Sequence, residues 1–194
     1  MSQNKTNFAV PLAFVGMMFF AIGFALGINS FLIPVLKGAL SLPSGVAYLL
    51  LAATFVPFLI FGYPASATIA KIGYKRTMAL SFLIFAVAFI LFVLSAKLEN
   101  FILFLIASFV SGAANAYLQA SVNPYITILG PIESAAKRMS IMGICNKLAW
   151  PVAPLFFALV VADQTNVQTS DLYLPFYIII GVFLLLGIIS LMAP

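Results

Sequence analysis

No histidine occurs in this chain, and there is a single cysteine, Cys145, set in an apolar stretch. A disulfide framework and a cysteine-based metal site are therefore excluded. With no histidine and no pair of acids beside the cysteine, a catalytic or metal constellation has nothing to be built from, and neither an enzyme nor a cofactor is expected. Charge is scarce too: 9 Lys and Arg and 4 Asp and Glu make 7% of 194 residues, against about 25% in ordinary globular domains. That excludes a soluble fold. The formal net charge of +5 does not point to nucleic acid, because the basic residues stand singly at segment ends rather than on one solvated face. Isolated positive charges at segment ends are the footprint of membrane orientation.

What is abundant is hydrocarbon: 64% of the residues are hydrophobic. No charge falls between Lys5 and Lys37, Lys37 and Lys71, Arg76 and Lys97, or Glu99 and Glu133, nor after Asp171. Each gap holds the roughly 20 apolar residues that cross a bilayer as a helix. With a sixth segment around Lys147, the expected architecture is an all-α integral membrane protein. It is one domain over residues 1–194, with six spans at about 8–35, 45–68, 77–96, 101–126, 138–162 and 172–193. The expected connections are short, among them Ile69 to Arg76 between spans two and three. The polar run Asp163 to Asp171 is too brief for a domain. The first apolar stretch, Phe8 to Ile33, is too long for a signal-peptide core and is expected to remain as a span. No lipidation signal is expected at either end.

Basic residues on alternate sides set the orientation. With the N-terminus inside, Lys5, Lys71, Lys75, Arg76, Lys137 and Arg138 are cytoplasmic, and Lys37 and Lys97 lie outside. That bias puts both termini on the cytoplasmic side.

Polar side chains inside the spans are the candidate site, because an uncompensated polar group in hydrocarbon is costly and normally faces a bundle interior or a wet cavity. Span four carries Ser111, Asn115, Gln119 and Asn123 at strict i, i+4 spacing, hence on one face. Amides in a row offer donors and acceptors to a hydroxyl-rich solute; the alternative is glue between helices. Span five carries Asn146, Lys147 and Trp150. Lys147 is about 15 Å along the helix from Lys137, near mid-membrane, where it needs a cavity, a counter-charge or a neutral form. It is read as serving transport, with a structural tie to an acidic group on another helix as the alternative. Trp150 offers a ring for stacking on a sugar, or else simply packs. Span one carries Asn29 and Ser30 after Gly23 and Gly27, small residues that permit close helix approach. Asn29 lies five residues before Pro34 and Gln119 five before Pro124, the matching features that two inverted three-span halves would show.

The run Leu118-Gln-Ala-Ser-Val-Asn-Pro-Tyr-Ile-Thr-Ile-Leu-Gly-Pro131, followed by Glu133, resembles the fourth-span signature of the fucose–proton symporter family within the major facilitator superfamily, nearest its bacterial glucose/galactose branch. Asn29 to Pro34 resembles that family's first-span element, and the Arg138 to Asn146 spacing its fifth-span pattern. The superfamily's general loop motif between spans two and three is degraded: Ser66 and Ala70 replace its Gly and Asp, while Gly73, Lys75 and Arg76 keep a basic remnant.

The resemblance implies the N-terminal six-helix half of a twelve-span sugar transporter. It would work by alternating access on a glucose-, galactose- or fucose-type hexose. Asn29, Ser30, Asn115, Gln119, Asn123, Asn146 and Trp150 are its expected sugar contacts, and Lys147 its coupling residue. It also implies departures, since the family's symporters carry an Asp and a Glu where this chain has Ser30 and Gln119. The expected partners are the sugar, membrane lipid and a second six-span half or a homodimeric copy, with no nucleic acid. A non-transporting half-bundle that assembles with another membrane protein, and a carrier of an anionic solute drawn by Lys147, are the competing readings.

Overall fold

The structure is a computed structural model that describes residues 9–161 and 167–192. Lys5, Asp163 and the expected span limits at residues 8, 162 and 193 lie outside the described residues. All regular structure among the described residues is helical: α1 (Ala9–Ala39), a single turn α2 (Ser44–Ala47), α3 (Leu49–Lys97), α4 (Phe101–Ile128), α5 (Ala135–Val160) and α6 (Tyr173–Leu191). One-turn 3-10 segments precede α5 and α6. Five helices are long and apolar enough to cross a membrane.

The connection expected at Ile69 to Arg76 is the main difference from the sequence reading. Helix runs through that region, and a straight α3 of 49 residues would be about 73 Å long, more than twice the roughly 30 Å core of a bilayer. It is not straight. Gly73 alone leaves helical geometry, at φ 81° and ψ 171°, a region essentially restricted to glycine. One residue therefore does the work assigned to eight, dividing α3 into arms 49–72 and 74–97. Thr77 secures the start of the second arm by donating to the Gly73 carbonyl at 2.8 Å.

Elsewhere the ends follow local chemistry. The Asn100 side chain caps α4 by accepting from the amides of Ile102 (3.0 Å) and Leu103 (3.2 Å), partners those first-turn donors otherwise lack. Pro34, Pro57, Pro64, Pro124, Pro151 and Pro154 all sit inside helices, which neighbouring helices and hydroxyls tolerate within a membrane. Buried hydroxyls return their protons to their own helices, as Thr54 does to the Leu50 carbonyl and Ser95 to that of Leu91.

Helix pairing rests on small residues and on phenylalanine. Gly23 and Gly27 of α1 lie against the backbone of α5 at Asn146 and Trp150, and Gly112 of α4 against the backbone of α3 at Thr54. A Cβ at Gly27 would come within 2.6 Å of the Trp150 carbonyl oxygen, so hydrogen there is what lets the helices meet. The second arm of α3 packs on α6 through Phe82, Phe85, Phe89, Phe92, Phe176 and Phe183. Ring centroids lie 4.7 Å apart for Phe85 and Phe183, and 5.5 Å for Phe92 and Phe176. Such pairs add about 0.5–1.5 kcal/mol each beyond the area they bury. α1 packs on both α5 and α4, which also touch each other.

Candidate functional site

The polar face of α4 divides along its length. Ser111 and Asn115 are fully buried, whereas Gln119 and Asn123 are only half-buried. The buried part is pinned to α1: the Asn29 amide donates to the Ser111 hydroxyl at 3.2 Å and to the Ala25 carbonyl of its own helix at 3.0 Å. It is pinned incompletely. Both polar atoms of the Asn115 amide, the Asn29 side-chain oxygen and the Ser108 hydroxyl have no partner, and an unmet buried donor or acceptor costs about 1–3 kcal/mol. Ser108, Ser111 and Asn115, at i, i+3 and i+7, share one side of α4. The α1–α4 seam thus holds hydrogen-bonding capacity that its own residues do not consume.

On the other flank of α1, the Asn146 amide donates to the Phe19 carbonyl at 3.1 Å and ties α5 to α1. Ser30, half-buried, is occupied by its own helix through the Leu26 carbonyl at 3.1 Å. Trp150 is 37% exposed, and the edge of its indole rests against Gly27. Lys147 is exposed and holds its ammonium 4.8 Å from the Trp150 ring centroid. It lies 12 residues into α5, about 18 Å from that helix's start. The eight predicted residues thus fall into two groups, with Asn29, Ser30, Asn115 and Asn146 engaged in or buried between helices and Gln119, Asn123, Lys147 and Trp150 open.

Two features escaped the sequence reading. Arg138, counted there as an orientation charge and as the first residue of a motif, is 93% buried, from its 7% exposure. Its guanidinium donates to the carbonyls of Ile126 (3.2 Å), Thr127 (3.1 Å) and Pro131 (2.9 Å), more distantly to that of Gly130, and to the Ser134 hydroxyl. The carbonyls of Ile126 and Thr127 are ones that the last turn of a helix leaves unpaired, and a cation there also suits the helix dipole. Arg138 therefore fixes the end of α4 that lies beyond Pro124 and carries Asn123. The signal was an arginine in the first turn of a helix, eight residues after Gly130 and seven after Pro131. At the opposite ends of the helices, Thr169 donates to the Glu99 carboxylate at 2.9 Å, joining the segment before α6 to the turn after α3.

A groove of about 810 Å³ runs between α1, α5 and α6, lined by hydrocarbon such as Met17, Phe20, Met142, Leu148, Ile178 and Val182. Its chemistry suits acyl chains and offers a hydroxylated solute nothing. No cluster of potential metal ligands occurs among the described residues.

A helical membrane bundle with amides set into one face and a cation halfway along a neighbouring helix has the build of a membrane transporter. The chain belongs to the Major Facilitator Superfamily, whose pattern matches residues 14–194. It is 31% identical over 193 residues to the glucose/galactose transporter of Brucella abortus biovar 1 (strain 9-941), covering 97% of this chain and 47% of that protein. It is 26% identical over 168 residues to the L-fucose-proton symporter of Escherichia coli K12, covering 87% and 38%. The crystal structure of the transporter FucP in the outward conformation superimposes with a TM-score of 0.79 at 23% identity, over 96% of this chain and 50% of that one. The chain thus spans about half the length of the relatives it matches. Family and fold are those of transporters, not enzymes.

Proposed function

We propose that this chain forms the N-terminal half of a hexose carrier, facilitative or secondary active, that works by alternating access in a bacterial inner membrane with both termini cytoplasmic. The observation that carries the reading is the open end of the α4 stripe. Half-exposed Gln119 and Asn123 in a helix of this apolarity need a wet partner, and hydroxyls satisfy amides as both donor and acceptor. Names of relatives that transport glucose, galactose or L-fucose support the same solute class. Gln119, Asn123 and Trp150 make the first sugar contacts. Asn29, Ser30, Asn115 and Asn146 join them as α1 shifts against α4 and α5. Lys147 couples charge to the cycle, because its ammonium must be balanced whenever the site closes around it.

Six spans arise when α3 folds at Gly73 into two. The helix partners then exchange in a way that suits a 3+3 inverted repeat: span one packs on span five through Gly23 and Gly27, span four on span two through Gly112, and spans three and six on each other through phenylalanine. A second six-span half, or another copy of this chain, faces the polar side and completes the path. Uptake of radiolabelled hexose into proteoliposomes tests the reading: Gln119→Leu abolishes uptake and leaves the thermal melt unchanged. Undiminished uptake by that variant removes Gln119 from the path.

A further inference from the structure

Four buried side-chain atoms on α1 and α4 have no partner among the described residues: both polar atoms of the Asn115 amide, the Asn29 oxygen and the Ser108 hydroxyl. Asn29, Ser108, Ser111 and Asn115 are each at 0% exposure within this chain alone, so a second half reaches none of them. Elsewhere the buried hydroxyls of Thr54, Ser81, Ser95 and Ser121 are met by their own helices. Unmet capacity of this kind is costly, and here it is confined to one seam.

Glycines do not lock that seam. Gly16, Gly23 and Gly27 of α1 face α5, and Gly112 of α4 meets the α3 backbone at Thr54. Side chains join α1 to α4 instead, through the bond from the Asn29 amide to the Ser111 hydroxyl at 3.2 Å. Asn115 is four residues on, the next position along that side of α4 and about 6 Å further along the axis. An Asn29–Asn115 pair, each amide donating to the other's oxygen, uses three of the four unpartnered atoms at once and gives two hydrogen bonds for the one released. Ser111 then keeps an own-helix carbonyl for its proton, as Ser95 has that of Leu91.

We infer that the α1–α4 seam is a two-position switch, in which Asn29 exchanges Ser111 for Asn115 as α1 slides along α4. The structure shows the first position. Hydrogen bonding favours the second, and the packing already in place opposes the move, so the seam has two discrete arrangements rather than a continuum. The Asn115 side chain slants towards the N-terminus of its helix, hence towards Ser111, which shortens the slide to about 3–6 Å. Arg138 grips only the last turn of α4, beyond Pro124, and leaves the rest of that helix free to move against α1. As the motion that opens and closes a solute path, the switch rests on the carrier reading above; as a contact with two partners it stands on the seam alone.

Spin labels placed outside the seam read the slide. Lys37 of α1, Tyr63 of α3 and Ile102 of α4 are exposed, and Cys145→Ser removes the native thiol. In lipid nanodiscs, double electron–electron resonance between labels at Lys37→Cys and Tyr63→Cys is expected to show two distances. The second is shorter by about 3–6 Å, because the antiparallel α1 carries Lys37 towards Tyr63. Labels at Ile102→Cys and Tyr63→Cys show one distance, since Gly112 seats α4 on α3. Adding Asn115→Leu leaves only the longer Lys37–Tyr63 distance, Ser111→Ala enriches the shorter, and circular dichroism shows both variants folded. A single Lys37–Tyr63 distance with the seam unmodified, as water trapped on the amides would leave, overturns the inference and leaves the sugar reading standing. Two distances that Asn115→Leu does not change also overturn it. Two distances that do respond, in a chain that takes up no hexose into proteoliposomes, keep the switch and overturn the carrier reading.

Discussion

Replacing the interface glycines with alanine perturbs the bundle at known places by calculable amounts. At Gly27 the added carbon would lie 2.6 Å from the Trp150 carbonyl oxygen and 3.0 Å from both the Ala153 methyl and the Trp150 ring. Ordinary contact lies near 3.5–4.0 Å, so α1 and α5 must separate locally by roughly an ångström. The clash is worse at Gly23 and Gly112, where the obstacle is again backbone, the Asn146 and Thr54 carbonyls, and cannot swing aside. Overpacking of this kind costs about 1–3 kcal/mol. At Gly23 the displacement also carries the Asn146 amide beyond reach of the Phe19 carbonyl, now 3.1 Å away, adding about 1 kcal/mol. Gly23→Ala should therefore lose about 2–4 kcal/mol and Gly112→Ala about 1–3 kcal/mol. Gly143 and Gly181 meet nothing within 4 Å, so alanine there should be neutral, or stabilising by up to about 1 kcal/mol through helix propensity. Reversible SDS titration in mixed micelles, followed by circular dichroism, measures all four. If Gly23→Ala and Gly112→Ala unfold no earlier than Gly143→Ala, the close approach of α1 to α5 and α4 to α3 is wrong.

Other expectations concern single polar groups. Asn115→Leu removes two unpartnered buried atoms while keeping the branched shape. It should raise stability by about 1–2 kcal/mol and lower hexose uptake, and a destabilised variant with normal uptake would show that Asn115 only holds the bundle. Arg138→Gln should lose about 2–4 kcal/mol, because it takes a donor from the Ile126 and Thr127 carbonyls of α4 and from those of Gly130 and Pro131 just beyond it. Arg138→Lys should recover only part of that, since an ammonium cannot span them as a guanidinium does; full recovery in the same titration would reduce Arg138 to a generic charge.

Charge spacing located the helices in the sequence because a charge tolerates a span end but not its centre. Gly23 and Gly27 announced a close helix contact for the same kind of local reason, and α5 is what fills it. What spacing could not convey is which helix covers which face. Ser111, Asn115, Gln119 and Asn123 are alike in periodicity, yet the bundle buries the first two and leaves the others only half-buried. Asn146 and Trp150 share a helix with Lys147, but one bonds to the α1 backbone and the other keeps an exposed ring. Arg138 looked like a membrane-topology charge because all but one of its partners are backbone carbonyls, which no side-chain pattern records. Gly73 was concealed among eight residues of a presumed loop, since the sequence marks where a break is permitted and not how few residues it takes.

The central claim is that the polar line of α4 and the Lys147 line of α5 border water through which a sugar passes. Thiol accessibility tests it most directly, because Cys145 is the only native cysteine and can be removed as Cys145→Ser. In that background Gln119→Cys, Asn123→Cys and Lys147→Cys should react with a membrane-impermeant methanethiosulfonate. Leu155→Cys and Leu159→Cys, on the lipid face, should not react. Silent cysteines at positions 119, 123 and 147, or labelling at 155 and 159 as fast as at those three, would contradict the account.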